Sequence, residues 1–312
     1  MDRPRVVILL GPTGVGQSKL ALEWAEELGG EIISADSMQV YRHMDIGTAK
    51  PTLDDQRRVQ HHLIDLVTPD QPFHAAFHRT LGRKTIDQLD RDGKPIWVVG
   101  GTGLYIKTLT QGLFSSPKID PRLRESLKQE ASEKGTSALY ERLKGVDPKT
   151  AFRLHPHDLF RIIRALEVFD STGVPISFYR EQHHFGERPY ITLKIGLEAN
   201  REKLYDRIEQ RVDQMLEKGF LQEVEGLIAM GYGRELKPMQ SLGYKQMIQF
   251  LSKEMEWEEA VRQMKRDTRH YAKRQLTWFK ADPGVRWWDV STDRKKIFSE
   301  VKSFFGRGGG RA

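Results

Sequence analysis

The stretch Val6-Val7-Ile8-Leu9-Leu10-Gly11-Pro12-Thr13-Gly14-Val15-Gly16-Gln17-Ser18 constrains the fold more than any other part of the chain. Five aliphatic residues end in glycine, and a helical pattern starts seven residues later at Ser18. The order is strand, loop, helix, with the spacing G-x-x-x-x-G-K-[ST] and glutamine in place of lysine at position 17. Glycines let backbone N–H groups turn inward around phosphate oxygens, and a helix N-terminus adds partial positive charge. A plain glycine-rich turn shares the composition. The full spacing behind a buried strand favours phosphate binding, though it does not say which phosphate compound.

The following segments predict an α/β fold: a P-loop NTPase-like parallel sheet flanked by helices, with a helical insertion domain. Leu20, Ala21, Trp24, Ala25 and Leu28 recur at helical spacing up to Gly29-Gly30. Glu31 to Ala35 reads as a second strand, with Asp36-Ser37-Met38-Gln39 at its carboxyl end. Ligands of open α/β sheets sit off the carboxyl ends of strands, so Asp36 is expected beside the phosphate loop. Residues 42–68 are polar and mixed, Phe77 to Leu89 reads as a helix, and Pro95 to Val99 as a third strand. That strand closes in Gly100-Gly101-Thr102-Gly103. Close approach by a ligand and a tight turn both explain those glycines. His61, His62, His74 and His78 lack an HExxH spacing, and a metal there is not the favoured reading.

From about Ser115 the pattern turns helical: Pro121 to Lys134, Ser137 to Lys144, and His157 to Ser171. The last has an apolar face of Leu159, Ile162, Ile163, Leu166 and Phe169, with Arg161 and Arg164 on the other side. Arg124, Arg161 and Arg164 suit contacts to nucleic-acid phosphate or a solvated basic face equally well. Tyr190 to Leu197 is expected to rejoin the sheet, and Arg201 to about Met230 to be helical. Residues 262–280 carry seven Lys and Arg against one Asp, with Tyr271, Trp278 and Phe279 interleaved. Cations with aromatics suit single-stranded or loop RNA. Met264, Tyr271 and Trp278 are expected to be ordinary core, which leaves the cations as the better evidence for RNA. Val285 to Val290 reads as a closing strand and Lys295 to Phe305 as a short helix.

The 312 residues carry a net charge of +7, which favours an anionic partner. There is no cysteine, hence no disulfide and no thiolate nucleophile or metal ligand. No signal peptide is evident, and no apolar run approaches the roughly 18 residues of a membrane span. A soluble, cytoplasmic chain with no membrane partner is expected.

Seven stretches in order, GPTGVGQS, ADSMQVYRHMDIGTAKP, VVGGTGLYI, DLFRIIRALEV, RVDQMLEKGFLQEV, QSLGYKQ and TRHYAKRQLTWFK, resemble the tRNA dimethylallyltransferases. The resemblance spans about residues 5–290. It implies transfer of a dimethylallyl group from its diphosphate to the exocyclic amine of the adenosine just 3′ of the anticodon. The residues themselves divide the chain into a P-loop core over 1–114 and 191–305, a helical insertion over 115–190 and a tail from 306 to 312 expected to be disordered; the resemblance makes the insertion tRNA-contacting. The partners are then dimethylallyl diphosphate and the tRNA anticodon stem-loop, with Mg2+ as cofactor and a monomer expected. An adenine buried in a stack must leave it to react.

Residue by residue, the resemblance makes Asp36 the general base and Arg211 the cation that stabilises departing diphosphate, with Thr102 beside them. Gly11, Thr13, Gly14, Val15, Gly16, Gln17 and Ser18 would cradle the diphosphate, Ser18 near Mg2+. Ser37, Met38 and Gln39 would read the adenine together with Asp36. Thr102 and Arg124 match tRNA-touching positions. Phe160, Arg161, Ile162, Ile163 and Arg164, and Gln240, Ser241, Leu242, Gly243, Tyr244 and Lys245, match tRNA-contacting segments.

Position 17 departs from the family pattern, which has lysine. A neutral amide in place of a mobile charge forfeits a contact worth about 2–4 kcal/mol. Lys19 is expected to point elsewhere on the helix. The role is expected to survive with altered diphosphate affinity, helped by Arg211 and Mg2+. A small-molecule or nucleoside kinase, and a non-catalytic RNA-binding relic, are the alternatives.

Overall fold

The computed structural model describes residues 3–114 and 120–306. The start of the expected insertion, 115–119, and the tail beyond Gly306 lie outside these residues; Gly306 itself closes a helix, Arg294–Gly306. The chain divides into two compact units, one formed by residues up to 110 together with those from 188, the other by residues 111–187.

The larger unit is built on six parallel strands: β1 (Arg5–Leu10), β2 (Glu31–Ser34), β3 (His61–His62), β4 (Ile96–Gly100), β5 (Ile191–Glu198) and β6 (Val285–Asp289). Their order across the sheet is β3-β2-β4-β1-β5-β6. β1 is central and buried along nearly its whole length, which explains its unbroken aliphatic sequence. Side chains alternate across a strand, so Val6, Ile8 and Leu10 enter one core and Val7 and Leu9 the other. The first core is capped by the helices Ala75–Arg91 and Phe220–Ala229. The second is capped by Gln17–Glu27 and Arg294–Gly306.

Two expectations need correction here. The helical stretch from Arg201 is two helices, Arg201–Glu217 and Phe220–Ala229, because Gly219 turns with φ 92° between them. The polar stretch 42–68 contains a short helix, Leu53–Arg58, and the edge strand β3. Both are too short to give a periodic signal.

The smaller unit is wholly helical among the described residues. Its helices are Pro121–Lys134, Thr136–Val146, Pro148–Arg153, Leu159–Thr172 and Ile176–His183. Its own core includes Leu127, Leu139, Leu143, Ile162, Ile163 and Leu166. Glu167 is buried within it and accepts hydrogen bonds from both Arg124 and Arg164.

The sheet tolerates nothing larger than hydrogen at the end of β4. A Cβ on Gly100 would lie 2.4 Å from the backbone carbon and oxygen of Ala35. Gly100→Ala is therefore expected to lower stability by about 1–3 kcal/mol, the usual cost of overpacking, read as a lowered midpoint in urea unfolding.

Candidate active site

Three backbone segments meet at the carboxyl ends of β1, β2 and β4, and one side chain ties two of them together. Gln275, buried on the long helix Trp257–Lys280, accepts a hydrogen bond from the Thr13 N–H (2.9 Å) and donates from Nε2 to the Gly101 carbonyl (3.0 Å). The phosphate loop is thus joined to the glycine turn after β4. Those glycines accommodate the protein's own atoms. Gly100 faces the Ala35 backbone, Gly101 the Gln275 amide and Gly103 the Trp278 ring. Gly100 and Gly101 additionally border the loop cavity.

Gly14 and Gly16 adopt φ of 83° and 101°, so the loop curls before the helix Gln17–Glu27 starts. Around it lies a cavity of about 320 Å³ lined by Thr13, Gly14, Gly16, Gln17 and Ser18. Gly11 and Val15 lie behind the cup, both buried. The far wall is the helix Arg201–Glu217, which presents Arg207, Arg211 and Gln214 along one stripe. Gly14 packs so closely on this helix that a Cβ would sit 2.9 Å from Ile208. Lys19, expected to point away, instead stands at the cavity's edge, because the cavity extends beside the first turn of its helix.

A second cavity of about 330 Å³ opens next to the first, lined by Ser37, Met38, Gly47, Met215, Ser241, Leu242, Tyr244 and Met264 among others. Its walls are more apolar, which suits an aromatic base or an isoprenoid chain. Thr13, Asp36, Thr48, Arg211 and Tyr271 border both cavities. Asp36 therefore stands at the junction, beside the loop, where the strand-end rule places it.

Asp36 is held by its own turn. Oδ1 accepts the N–H of Met38 (2.7 Å) and of Gln39 (3.3 Å), and Thr102 Oγ1 accepts the next N–H, that of Ser37 (3.0 Å). Burial pushes the carboxyl above the ordinary aspartate range, against those N–H bonds and the Arg211 charge, which pull it down. Arg211 carries the converse imbalance: burial lowers its pKa, and the Asp36 carboxylate is what opposes it. Arg211 forms neither a hydrogen bond nor a close ion pair among the described residues. A guanidinium that lines two cavities without protein partners is suited to taking an anion.

The loop that bears Gly47 and Thr48 is pinned from three sides. Glu223 accepts the N–H groups of Asp45, Ile46 and Gly47 and the hydroxyl of Tyr244. Lys50 Nζ donates to the Tyr41 carbonyl and to both Asp45 and Asp65. Gln39 bridges from Ser34 Oγ to the Thr48 and Ala49 carbonyls. Its amide is thus already engaged as a brace.

The other sequence-predicted residues are spread more widely. Ser241, Leu242 and Tyr244 line the second cavity, whereas Gln240 and Lys245 line a small separate one with Arg234. Gly243 is buried against Phe220 and Met264. Arg124 and Phe160 to Arg164 belong to the helical unit. Phe160 is 69% exposed, while Ile162 and Ile163 are core. Thr102 lines neither cavity and acts by bracing the Asp36 turn.

Sequence reasoning missed Gln275, Arg207, Thr48 and Glu223 as site residues. It also read Tyr271 and Trp278 as core; Tyr271 borders both cavities near Thr102 and Gln275, and Trp278 is 46% exposed. Phe279 is the buried one. The four histidines do not converge. His62 pairs with Glu31, while His78 is buried and stacks on Tyr105. No cluster of three or more His, Asp or Glu side chains able to hold a metal occurs among the described residues.

Comparison with known proteins gives this geometry its context. The IPP transferase family model matches residues 39–282, and the isopentenyl transferase model residues 4–67. The chain is 55% identical over 291 residues to a tRNA dimethylallyltransferase of Syntrophobacter fumaroxidans, covering 93% of this chain and 85% of the relative. It is 52% identical to tRNA dimethylallyltransferase 2 of Syntrophus aciditrophicus, covering 95% of each. The crystal structure of a tRNA isopentenylpyrophosphate transferase from Bacillus halodurans superposes with a TM-score of 0.73 at 37% identity, covering 98% of both chains. A eukaryotic dimethylallyltransferase acting on tRNA matches with a TM-score of 0.82 at 28% identity, over 96% of this chain and 78% of that one. These likenesses displace the kinase and the non-catalytic alternatives. Matched by the family model over residues 39–282 and at least 52% identical to the Syntrophobacter and Syntrophus relatives along most of its length, the chain belongs to the IPP transferase family of prenyltransferases.

Proposed function

We propose that the chain transfers a dimethylallyl group from dimethylallyl diphosphate to the N6 amine of the adenosine just 3′ of the anticodon in tRNA. The observation that carries the reading is the position of Asp36 and Arg211, which border both the P-loop cavity and its more apolar neighbour. The first cavity takes the diphosphate, on the N–H groups of the loop and the Arg211 guanidinium. The second takes the adenine, extruded from its stack.

The chemistry follows from the charges. The N6 nitrogen forms a bond to the allylic carbon as the carbon–oxygen bond to diphosphate breaks, and diphosphate leaves with the electron pair. Asp36 takes the amine proton. Because Oδ1 is engaged by the Met38 and Gln39 N–H groups, Oδ2 is the oxygen that receives it. A carboxyl raised by burial is a stronger base than an exposed one, which matches it to a weakly acidic amine. Arg211, buried and without a close partner, stabilises the charge that accumulates on the leaving group.

Mg2+ fits this site as a companion of the substrate. The described residues offer no preformed cage, and Mg2+ is commonly held by few protein ligands plus phosphate oxygens and water. Ser18, at the cavity wall, is the residue that would reach it. When bound, it would neutralise diphosphate charge. In the helical unit, Arg124, Arg161 and Arg164 with the exposed ring of Phe160 suit the anticodon stem-loop, since cations track phosphates and a free ring stacks on bases. No helix among the described residues is long and apolar enough to cross a membrane. A monomer working in the cytoplasm completes the proposal.

Asp36→Asn should lower kcat by about 10²–10⁴-fold, the usual contribution of a general base, with tRNA affinity within a few-fold of the unaltered chain. Retained turnover, measured as modified nucleoside by mass spectrometry, would remove Asp36 from the mechanism. In the unaltered chain kcat/KM should fall on acidification with an acid limb above the ordinary aspartate range, since the raised carboxyl must be ionised to act. Arg211→Gln should slow transfer by about 10²–10³-fold, the loss seen when one transition-state donor is removed; an unchanged rate would sink its assignment.

A further inference from the structure

The phosphate loop lacks its own side-chain cation. Gln17 is neutral, and its Oε1 is buried without a hydrogen-bond partner among the described residues. The helix Arg201–Glu217 supplies charge from the opposite wall. Residues 207 and 211 are four apart, so their side chains leave the same face one turn apart. Both line the loop cavity. Arg211 reaches the junction with the second cavity, whereas Arg207 stays with the loop: its Nη1 donates to the Val15 carbonyl at 3.4 Å. The register of the helix is fixed by Ile208, packed on Gly14 closely enough to exclude a Cβ. Arg207 makes no ion pair within 4 Å among the described residues, and its one long hydrogen bond leaves most of its five N–H donors free.

We infer that Arg207 is a diphosphate-binding residue, a second arginine that grips the leaving group from across the loop and supplies the charge that Gln17 does not. This rests on the P-loop cavity holding the diphosphate. Arg207 and Arg211 then divide the work. Arg211 faces the reacting end of the diphosphate, beside Asp36, and Arg207 the terminal phosphate within the loop. A guanidinium fork binds phosphate oxygens in pairs, so it substitutes for a lysine point charge at a greater reach.

Calorimetric titration of inorganic diphosphate with Mg2+ into the full chain tests this, using Arg207→Met, Arg207→Gln, Gln17→Lys and the two double variants. Arg207→Met should weaken binding at least tenfold. Arg207→Gln keeps a donor for the Val15 carbonyl and should show the same loss, separating charge from tether; thermal melts check that each variant folds. In the Gln17→Lys background either change should cost less than threefold, because the loop then carries its own cation. The KM for dimethylallyl diphosphate should follow the titrations while tRNA affinity stays constant. Affinity within twofold after Arg207→Met, an equal loss in both backgrounds, or a tenfold loss from Lys19→Ala with none from Arg207→Met would each overturn the inference. Failure of the unaltered chain to bind diphosphate at all would overturn the cavity assignment itself, and so is told apart from a failure of Arg207 alone.

Discussion

The site depends on one buried amide. Gln275 holds the Thr13 N–H with its oxygen and the Gly101 carbonyl with its nitrogen, so two loops that leave different strands are fixed to a single side chain. Each loop alone has few buried apolar residues to hold it. Joined through Gln275, they share the rigidity of a 24-residue helix packed on the sheet. The same helix carries Tyr271, which reaches toward Thr102, and Thr102 in turn secures the turn that aims Asp36. Loop geometry and the Asp36 turn are therefore set by one element. That is how a site on loops attains the precision catalysis requires.

A second constraint is electrostatic. Two charged groups, Asp36 and Arg211, stand near one another, half-buried and without a direct bond, and each is displaced by desolvation from its ordinary behaviour. Such an arrangement costs stability in the empty protein. Under the proposed function both charges act on an anion and an amine that arrive from outside. Contrast Glu223 and Lys50, whose partners are all internal: they fasten the loop that walls both cavities. The larger unit thus uses satisfied ions for scaffolding, and the proposed chemistry falls to the unsatisfied ones.

Much of this was legible in the residues. The aliphatic run before Gly11 announced the central strand, and the glycine spacing announced the loop. Asp36 followed from the rule that ligands gather at the carboxyl ends of strands. Periodicity found the long helices because their apolar faces repeat several times. It failed at β3, two residues long, and at Gly219, where one glycine divides what reads as a continuous helix. Gln275 was invisible because it lies 262 residues from its partner and has no local pattern of its own. Arg207 has no sequence signal beyond being one arginine of a helix, since its value depends on a loop nearly two hundred residues earlier. Trp278 was misjudged because a long helix of mixed composition does not reveal which aromatic faces inward, and Phe279 took that place.

The unequal treatment of the two Asp36 oxygens has a steric corollary. With Oδ1 accepting two backbone N–H groups, Oδ2 is the oxygen with lone pairs left for a ligand. In the proposed reaction the N6 amine must then donate its proton to Oδ2, and an adenine presented the other way up meets an oxygen already accepting two hydrogen bonds. With Asp36 as the proposed base, the turn itself would filter orientation, turning away a misplaced nucleobase without any side chain having to clash with it.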